Sequence, residues 1–153
     1  MKELAPDVEV RLIAAAATIE VRWPVLRAGM PRESAIFPGD EAPETRHLGA
    51  FVENDLKGVV TIYPAEFPDQ LGAVGSWQLR GMGVLPEAQR RGIGEALLRA
   101  CLREAAAAGG RLMWCNARVT AAAFYARNGW LVSCAEFNVP TAGPHVRMWT
   151  PLV

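Results

Sequence analysis

Apolar and polar positions divide the chain into several short alternating runs and one long helical stripe. Val8, Val10 and Leu12 alternate with Asp7, Glu9 and Arg11, the period of a strand with one buried face. The alanine-rich stretch from Ala14 to about Arg22 favours helix, and Pro24 is expected to end or kink it. Pro31, Pro38, Gly39 and Pro43 mark Gly29–Glu44 as a loop. A loop of that length is either disordered or functional, covering a site. His47–Glu53 and Gly58–Tyr63 read as a hairpin turning near Asn54 and Asp55, and a second loop, Pro64–Gly75, follows.

Trp77–Val84 is predicted as a strand in which Trp77 and Leu79 alternate with Gln78 and Arg80. Gly81 and Gly83 imply a bulge or a close backbone approach. From about Gly92 to Ala108 the period changes: Ile93, Leu97, Cys101 and Ala105 share one helix face, and Glu95 and Arg99 pair on the outer side. Gly109 and Gly110 stop that helix, and Leu112–Cys115 is a strand buried on both faces. Strand, helix and strand across residues 77–116 make a right-handed crossover with parallel strands. Thr120 is expected to cap a short helix ending at Asn128 and Gly129. Leu131–Phe137 and Val146–Pro151 close the chain as a hairpin around Pro140–Pro144. With no repeat and no linker, residues 1–153 read as one α/β domain.

Composition narrows the function classes. Sixteen basic residues balance sixteen acidic ones, which argues against nucleic acid or an anionic membrane as a partner. Cys101, Cys115 and Cys134 are odd in number and lack close pairing, so no disulfide framework is expected. His47 and His145 show no metal-ligand spacing to them. His47 falls in a predicted strand and reads as structural. The opening "MKELAPDVEV" lacks the apolar core of a signal peptide, and no run is long enough to span a bilayer, so the expectation is a cytoplasmic protein.

Chemistry concentrates at "PEAQRRGIGEALL", Pro86–Leu98. In a βαβ unit, ligands favour the crevice beyond the strand's carboxyl end. The N–H groups of the helix's first turn lack intrahelical partners there and suit an anion. Gly92 and Gly94 let a phosphate approach the backbone, and Arg90 and Arg91 add charge at the rim, which together make a pyrophosphate cradle. The P-loop pattern is absent, and the dinucleotide fingerprint fails because its sixth position is Pro86 or Leu97. What remains is Gln89-x-x-Gly92-x-Gly94.

"GMGVLPEAQRRGIGEALL" resembles the central motif of the GCN5-related N-acetyltransferases (GNAT), whose pattern is Q/R-x-x-G-x-G/A at a strand–helix junction. "WCNARVTAAAFYARNGW", Trp114–Trp130, resembles the family's next strand and helix, with an asparagine after the strand and an aromatic–tyrosine pair before Asn-Gly. The resemblance implies the GNAT fold, a twisted mixed central β-sheet flanked by helices, and an acetyl-CoA-dependent N-acetyltransferase. Backbone groups of Met82, Gly83 and Val84 would pair with the pantetheine arm, and one N–H there would polarise the thioester carbonyl. Gln89 belongs to the motif, and the N–H groups of Arg90, Arg91, Gly92, Ile93, Gly94 and Glu95 would hold the pyrophosphate. Asn116 would contact the pantetheine or the acceptor, Phe124 would line the cofactor, and Tyr125 would protonate the leaving thiolate.

The implied reaction is direct attack of an amine on the thioester in a ternary complex. Many members carry a glutamate as general base on the strand equivalent to Trp77–Val84, where this chain has Gln78 and Arg80. The base is then a water chain, Glu53, Glu136 or His145, and His145 is the residue type that titrates nearest neutrality. The acceptor is a small-molecule or peptide amine, framed by the loops Gly29–Glu44 and Pro140–His145. A homodimer through the last strands is compatible with this reading. The alternative is a module that binds acyl-CoA or CoA without turnover.

Overall fold

The computed structural model describes residues 7–140 and 142–152. Met1–Pro6, the first residues of the opening read for a signal peptide, Thr141, inside the expected Pro140–Pro144 turn, and Val153 lie outside them. Eight strands form one mixed sheet in the order β1-β2-β3-β4-β5-β8-β6, with β7 also paired to β8. The chain falls into two compact units, residues up to Tyr63 with Gly81–Arg103, and Pro64–Arg80 with residues from Glu104 onward.

In the first unit, β1 (Val8–Ile13) runs antiparallel to β2 (Arg46–Val52), which turns back into β3 (Asp55–Pro64). Glu53 and Asn54 make the turn with φ of 52° and 68°. Two left-handed residues in a row twist a two-residue hairpin the way its strands twist, so the turn sits one residue before the place the sequence indicates. Strand β1 is at the end of the sheet, and Leu12 is 61% exposed, so the expected alternation fails there. An edge strand has one neighbour to shelter it.

Helix α1 spans Ala15–Leu26, so it continues past Pro24 by two residues and does not end there. Its last turn closes when the Arg27 N–H bonds the carbonyls of Arg22 and Trp23. A mid-helix proline costs about 3 kcal/mol, and the burial of Thr18, Ile19, Val21 and Arg22 along one side offsets it. Helix α2 (Ile93–Ala107) buries the predicted stripe of Ile93, Leu97, Cys101 and Ala105. It lies so close to β3 that a β-carbon on Gly58 would meet Leu97 at 2.9 Å and Ile93 at 3.1 Å. Burial pushes the Cys101 thiol up to about 12, which leaves it inert at neutral pH.

In the second unit, the first half of β4 (Ser76–Val84) pairs in parallel with β5 (Leu112–Arg118), from Ser76↔Leu112 to Leu79↔Cys115. With α2 between them in sequence, this is the crossover that the change of period indicated. Strand β5 pairs antiparallel with β8 (Gly143–Pro151). Phe67 stacks on Trp114 at 5.9 Å, and the Trp114 indole N–H donates to the Ala65 carbonyl, which secures the start of the loop after β3.

Two further expectations give way here. Thr120 is not a cap: a 3-10 turn over Val119–Ala121 precedes α3 (Ala122–Arg127), whose N-cap is Ala121, without a side-chain bond. The strand expected over Leu131–Phe137 is two pieces, β6 (Leu131–Val132) and β7 (Phe137–Val139), both antiparallel to β8. At the break the Ser133 N–H bonds the Arg147 carbonyl, and the Arg147 N–H turns to the Cys134 sulfur at 3.4 Å. No helix of the described residues is long and apolar enough to cross a membrane.

Candidate active site

Between β4 and α2 the chain bends sharply. A 3-10 turn, Pro86–Ala88, leads to Arg90 with φ of 66° and Gly92 with φ of 79°, and α2 begins at the next residue. Left-handed residues two apart turn successive N–H groups inward into an anion-binding concavity. The first intrahelical bond is from the Ala96 N–H to the Gly92 carbonyl, so the amides ahead of it precede the helix's own ladder at its positive end. Arg90 and Arg91 are exposed at the rim, whereas Gly92 and Ile93 are buried. Holding a non-glycine residue such as Arg90 left-handed costs about 1–2 kcal/mol. Gln89 braces the bend by donating from its side-chain amide to the Val84 carbonyl at 3.1 Å, and the Leu85 N–H bonds the Lys57 carbonyl at 2.8 Å. The donors present suit a pyrophosphate.

Met82, Gly83 and Val84 lie beyond the stretch of β4 that pairs with β5, which ends at Leu79. The close approach that Gly81 and Gly83 imply is made by α1. A β-carbon on Gly83 would meet Val25 at 3.2 Å and Val21 at 3.7 Å. At Gly81, with φ of 65°, it would meet the Arg22 Nε and the Phe37 ring, each at 3.2 Å.

The largest polar feature of the first unit was not anticipated. Arg22 is fully buried and donates twice to the Asp40 carboxylate, at 2.6 and 3.0 Å, once to the Ala35 carbonyl and once to the Thr61 hydroxyl. His47 completes the ring, with Nδ1 at 2.8 Å from the Thr61 hydroxyl and Nε2 at 2.9 Å from the Asp40 carbonyl. A backbone carbonyl can only accept, so His47 carries a hydrogen on Nε2 and donates it to Asp40, while the Thr61 hydroxyl accepts from Arg22 and meets His47 Nδ1. Burial alone would raise the Asp40 carboxyl, but the Arg22 bond, the Phe37 N–H and the charges of Arg22 and His47 outweigh it and hold it below its ordinary value. The loop Gly29–Glu44 is therefore tied down at Ala35 and Asp40, not disordered.

In the second unit, Asn116 is exposed on β5 opposite Arg147, and its side-chain oxygen accepts from the Arg147 Nε at 3.2 Å. Arg147 also reaches Asp69 at 2.9 Å, and Asp69 accepts from the Ser133 hydroxyl at 2.6 Å. That hydroxyl, against the opposing effect of burial and with help from Arg147, lowers the Asp69 carboxyl. Tyr125 is buried in α3, edge-on to Phe124 at 5.2 Å and 5.0 Å from the Trp130 ring. His145 departs from its expected place in a proline–glycine loop: it is a buried residue of β8, beside Phe137, with Nδ1 at 2.9 Å from the Gly143 carbonyl. The strand extends further toward the turn than Pro144 suggested, because β7 pairs with it there. Glu53 and Glu136 are exposed. Among the described residues no group of three or more His, Cys, Asp or Glu could hold a metal ion.

Met82–Val84 and Gln89–Glu95 are thus gathered at the junction of β4 and α2, Asn116 is joined to Arg147, and Phe124 packs on Tyr125. Comparison with known proteins gives the family. Residues 13–130 match the acetyltransferase (GNAT) family, and the chain belongs to it. It is 30% identical over 144 residues to YitI of Bacillus subtilis (strain 168), described as an uncharacterized N-acetyltransferase, covering 94% of this chain and 96% of that one. The fold is similar to that of an aminoglycoside 6'-N-acetyltransferase complexed with coenzyme A, at a TM-score of 0.74 and 14% identity over 95% of this chain and 97% of that one. It is also similar to the ribosomal-protein-S18-alanine N-acetyltransferase of Escherichia coli, at 0.74 and 15% identity over 95% and 94%. The protein is an acyltransferase that uses acetyl-CoA.

Proposed function

We propose that this single-domain, cytoplasmic enzyme transfers the acetyl group of acetyl-CoA to a primary amine of a small molecule or peptide, by direct attack in a ternary complex. The observation that carries the reading is the left-handed pair Arg90 and Gly92 at the start of α2, which points backbone donors where a pyrophosphate would lie. Bound there, acetyl-CoA supplies an activated acyl group.

The chain's own residues do the rest. The amides from Arg90 to Glu95 hold the pyrophosphate, and Arg90 and Arg91 add charge. Met82, Gly83 and Val84 align the pantetheine arm through their backbone and provide the N–H that steadies charge on the carbonyl oxygen. Because the Gln89 side chain already bonds the Val84 carbonyl, Gln89 acts as a brace for the bend. Tyr125 gives its hydroxyl proton to the departing thiolate, Phe124 lines the cofactor, and Asn116 contacts the pantetheine or the acceptor. With Gln78 and Arg80 where many relatives have a glutamate, His145 or a water chain takes the amine proton. The proteins of similar fold include an aminoglycoside 6'-N-acetyltransferase and a ribosomal-protein-S18-alanine N-acetyltransferase, which supports both a small-molecule and a peptide amine as acceptor. A homodimer through the last strands would cover Leu131 and Val132 of β6, which are 55% and 58% exposed.

Melting temperature with and without saturating acetyl-CoA tests the site. The wild type should rise by several degrees, as expected of a ligand that binds only the folded state, and then release free thiol in a screen of amines. Gly92→Glu should abolish the rise, because it sets a side chain on a φ of 79° and a carboxylate in the anion cradle. A rise that survives in Gly92→Glu would overturn the cradle.

A further inference from the structure

We propose that Arg22 is a positioning residue for acyl transfer, fixing the backbone of β4 at Gly81 and hence the segment Met82–Val84. The proposal rests on the reading that this segment aligns acetyl-CoA.

The guanidinium is held from four directions. It bonds both oxygens of Asp40, the Ala35 carbonyl and the Thr61 hydroxyl, and lies 4.0 Å over the Phe37 ring. Its remaining edge is the informative one. Arg22 Nε is buried and has no hydrogen-bond partner, and it lies 3.2 Å from where a β-carbon on Gly81 would stand. That edge meets backbone at the point where β4 takes a left-handed φ of 65°, immediately before Met82. Val21 and Val25 continue the same contact against Gly83. One side of α1 therefore bears on the two glycines that bracket Met82.

Stability alone does not call for this arrangement. Apolar residues of similar volume often replace a buried ion pair without loss, and they leave no donor unpaired. What they lack is the rigid planar fork of an arginine, held at fixed distances by its partners. The same fork ties down the loop Gly29–Glu44 at Ala35 and Asp40. Within the first unit, the wall expected to frame the acceptor and the segment expected to align the cofactor thus share one anchor.

The test compares the wild type, the apolar pair Arg22→Met with Asp40→Leu, Gly81→Ala, and all three changes together. Acetyl-CoA affinity is measured by calorimetry, amide exchange at Met82–Val84 with and without acetyl-CoA, and unfolding temperature on each. The apolar pair should unfold cooperatively within a few degrees of the wild type yet bind acetyl-CoA about tenfold more weakly, roughly the loss of one well-placed backbone hydrogen bond. It should also lose the protection that acetyl-CoA gives Met82–Val84. Gly81→Ala strains a φ of 65° whatever lies beside it, and should weaken binding both alone and in the absence of Arg22. A folded apolar pair with wild-type affinity and protection overturns the proposal. If that variant does not fold, Gly81→Ala decides, and unchanged affinity there overturns it. If acetyl-CoA binds the wild type without protecting Met82–Val84, the cofactor reading of that segment fails and this inference with it.

Discussion

Each of the two units carries an arginine–aspartate pair, and the pairs differ in almost everything but chemistry. Arg22 and Asp40 are 0% and 6% exposed, bidentate, and closed into a ring through Thr61 and His47. Arg147 and Asp69 are 20% and 25% exposed, joined by one bond, and share it with Asn116 and Ser133 at the surface. In water-excluded surroundings each partner is obligatory to the other, because either one left alone is an uncompensated charge. At the surface, solvent takes over when a partner leaves. The same two residue types are a structural commitment in one place and an adjustable contact in the other.

The comparison can be broken most forcefully at Asp40. Asp40→Ala leaves the Arg22 charge buried without its counterion and should lower the free energy of urea unfolding by about 3–5 kcal/mol. A loss under about 1 kcal/mol would mean that solvent reaches the guanidinium. Acid supplies the next effect. The Asp40 carboxyl titrates below its ordinary 3.8 in the folded chain, so its contribution is fully present above that value and is lost as pH falls through the lower, folded one. Unfolding free energy measured from pH 6 downward should therefore drop more steeply below about pH 4 in the wild type than in Asp40→Asn. Asp69, also lowered, has the same sign. The smallest effect is Asp69→Ala, about 1 kcal/mol or less and fading in 1 M salt. A large, salt-independent loss there would erase the distinction between the two pairs.

The crossover from β4 through α2 to β5 was legible because the apolar period changes from two to 3.6 and back within one stretch. The bend ahead of α2 was legible only in part: Gly92 shows in the text, whereas Arg90 takes a left-handed φ without being glycine. The Arg22 ring was not. An arginine in an alanine-rich helix reads as its wet face, and the partners that bury it are Asp40 in a loop and Thr61 and His47 on two strands. No local pattern links them. Pro24 misled because it falls in the last turn, where the burial of Thr18, Ile19, Val21 and Arg22 before it outweighs one missing bond. Thr120 misled because a 3-10 turn moved the start of α3 past it. His145 misled because Pro144, beside the turn, is inside a strand, where its missing N–H is tolerated near an edge hairpin.

The hydrogen that His47 Nε2 gives the Asp40 carbonyl has a spectroscopic consequence. It lies on a buried ring against a buried partner, so it exchanges with solvent only when the cluster parts. A single imidazole N–H signal therefore times the lifting of the Asp40 loop, ahead of the unfolding of the molecule as a whole.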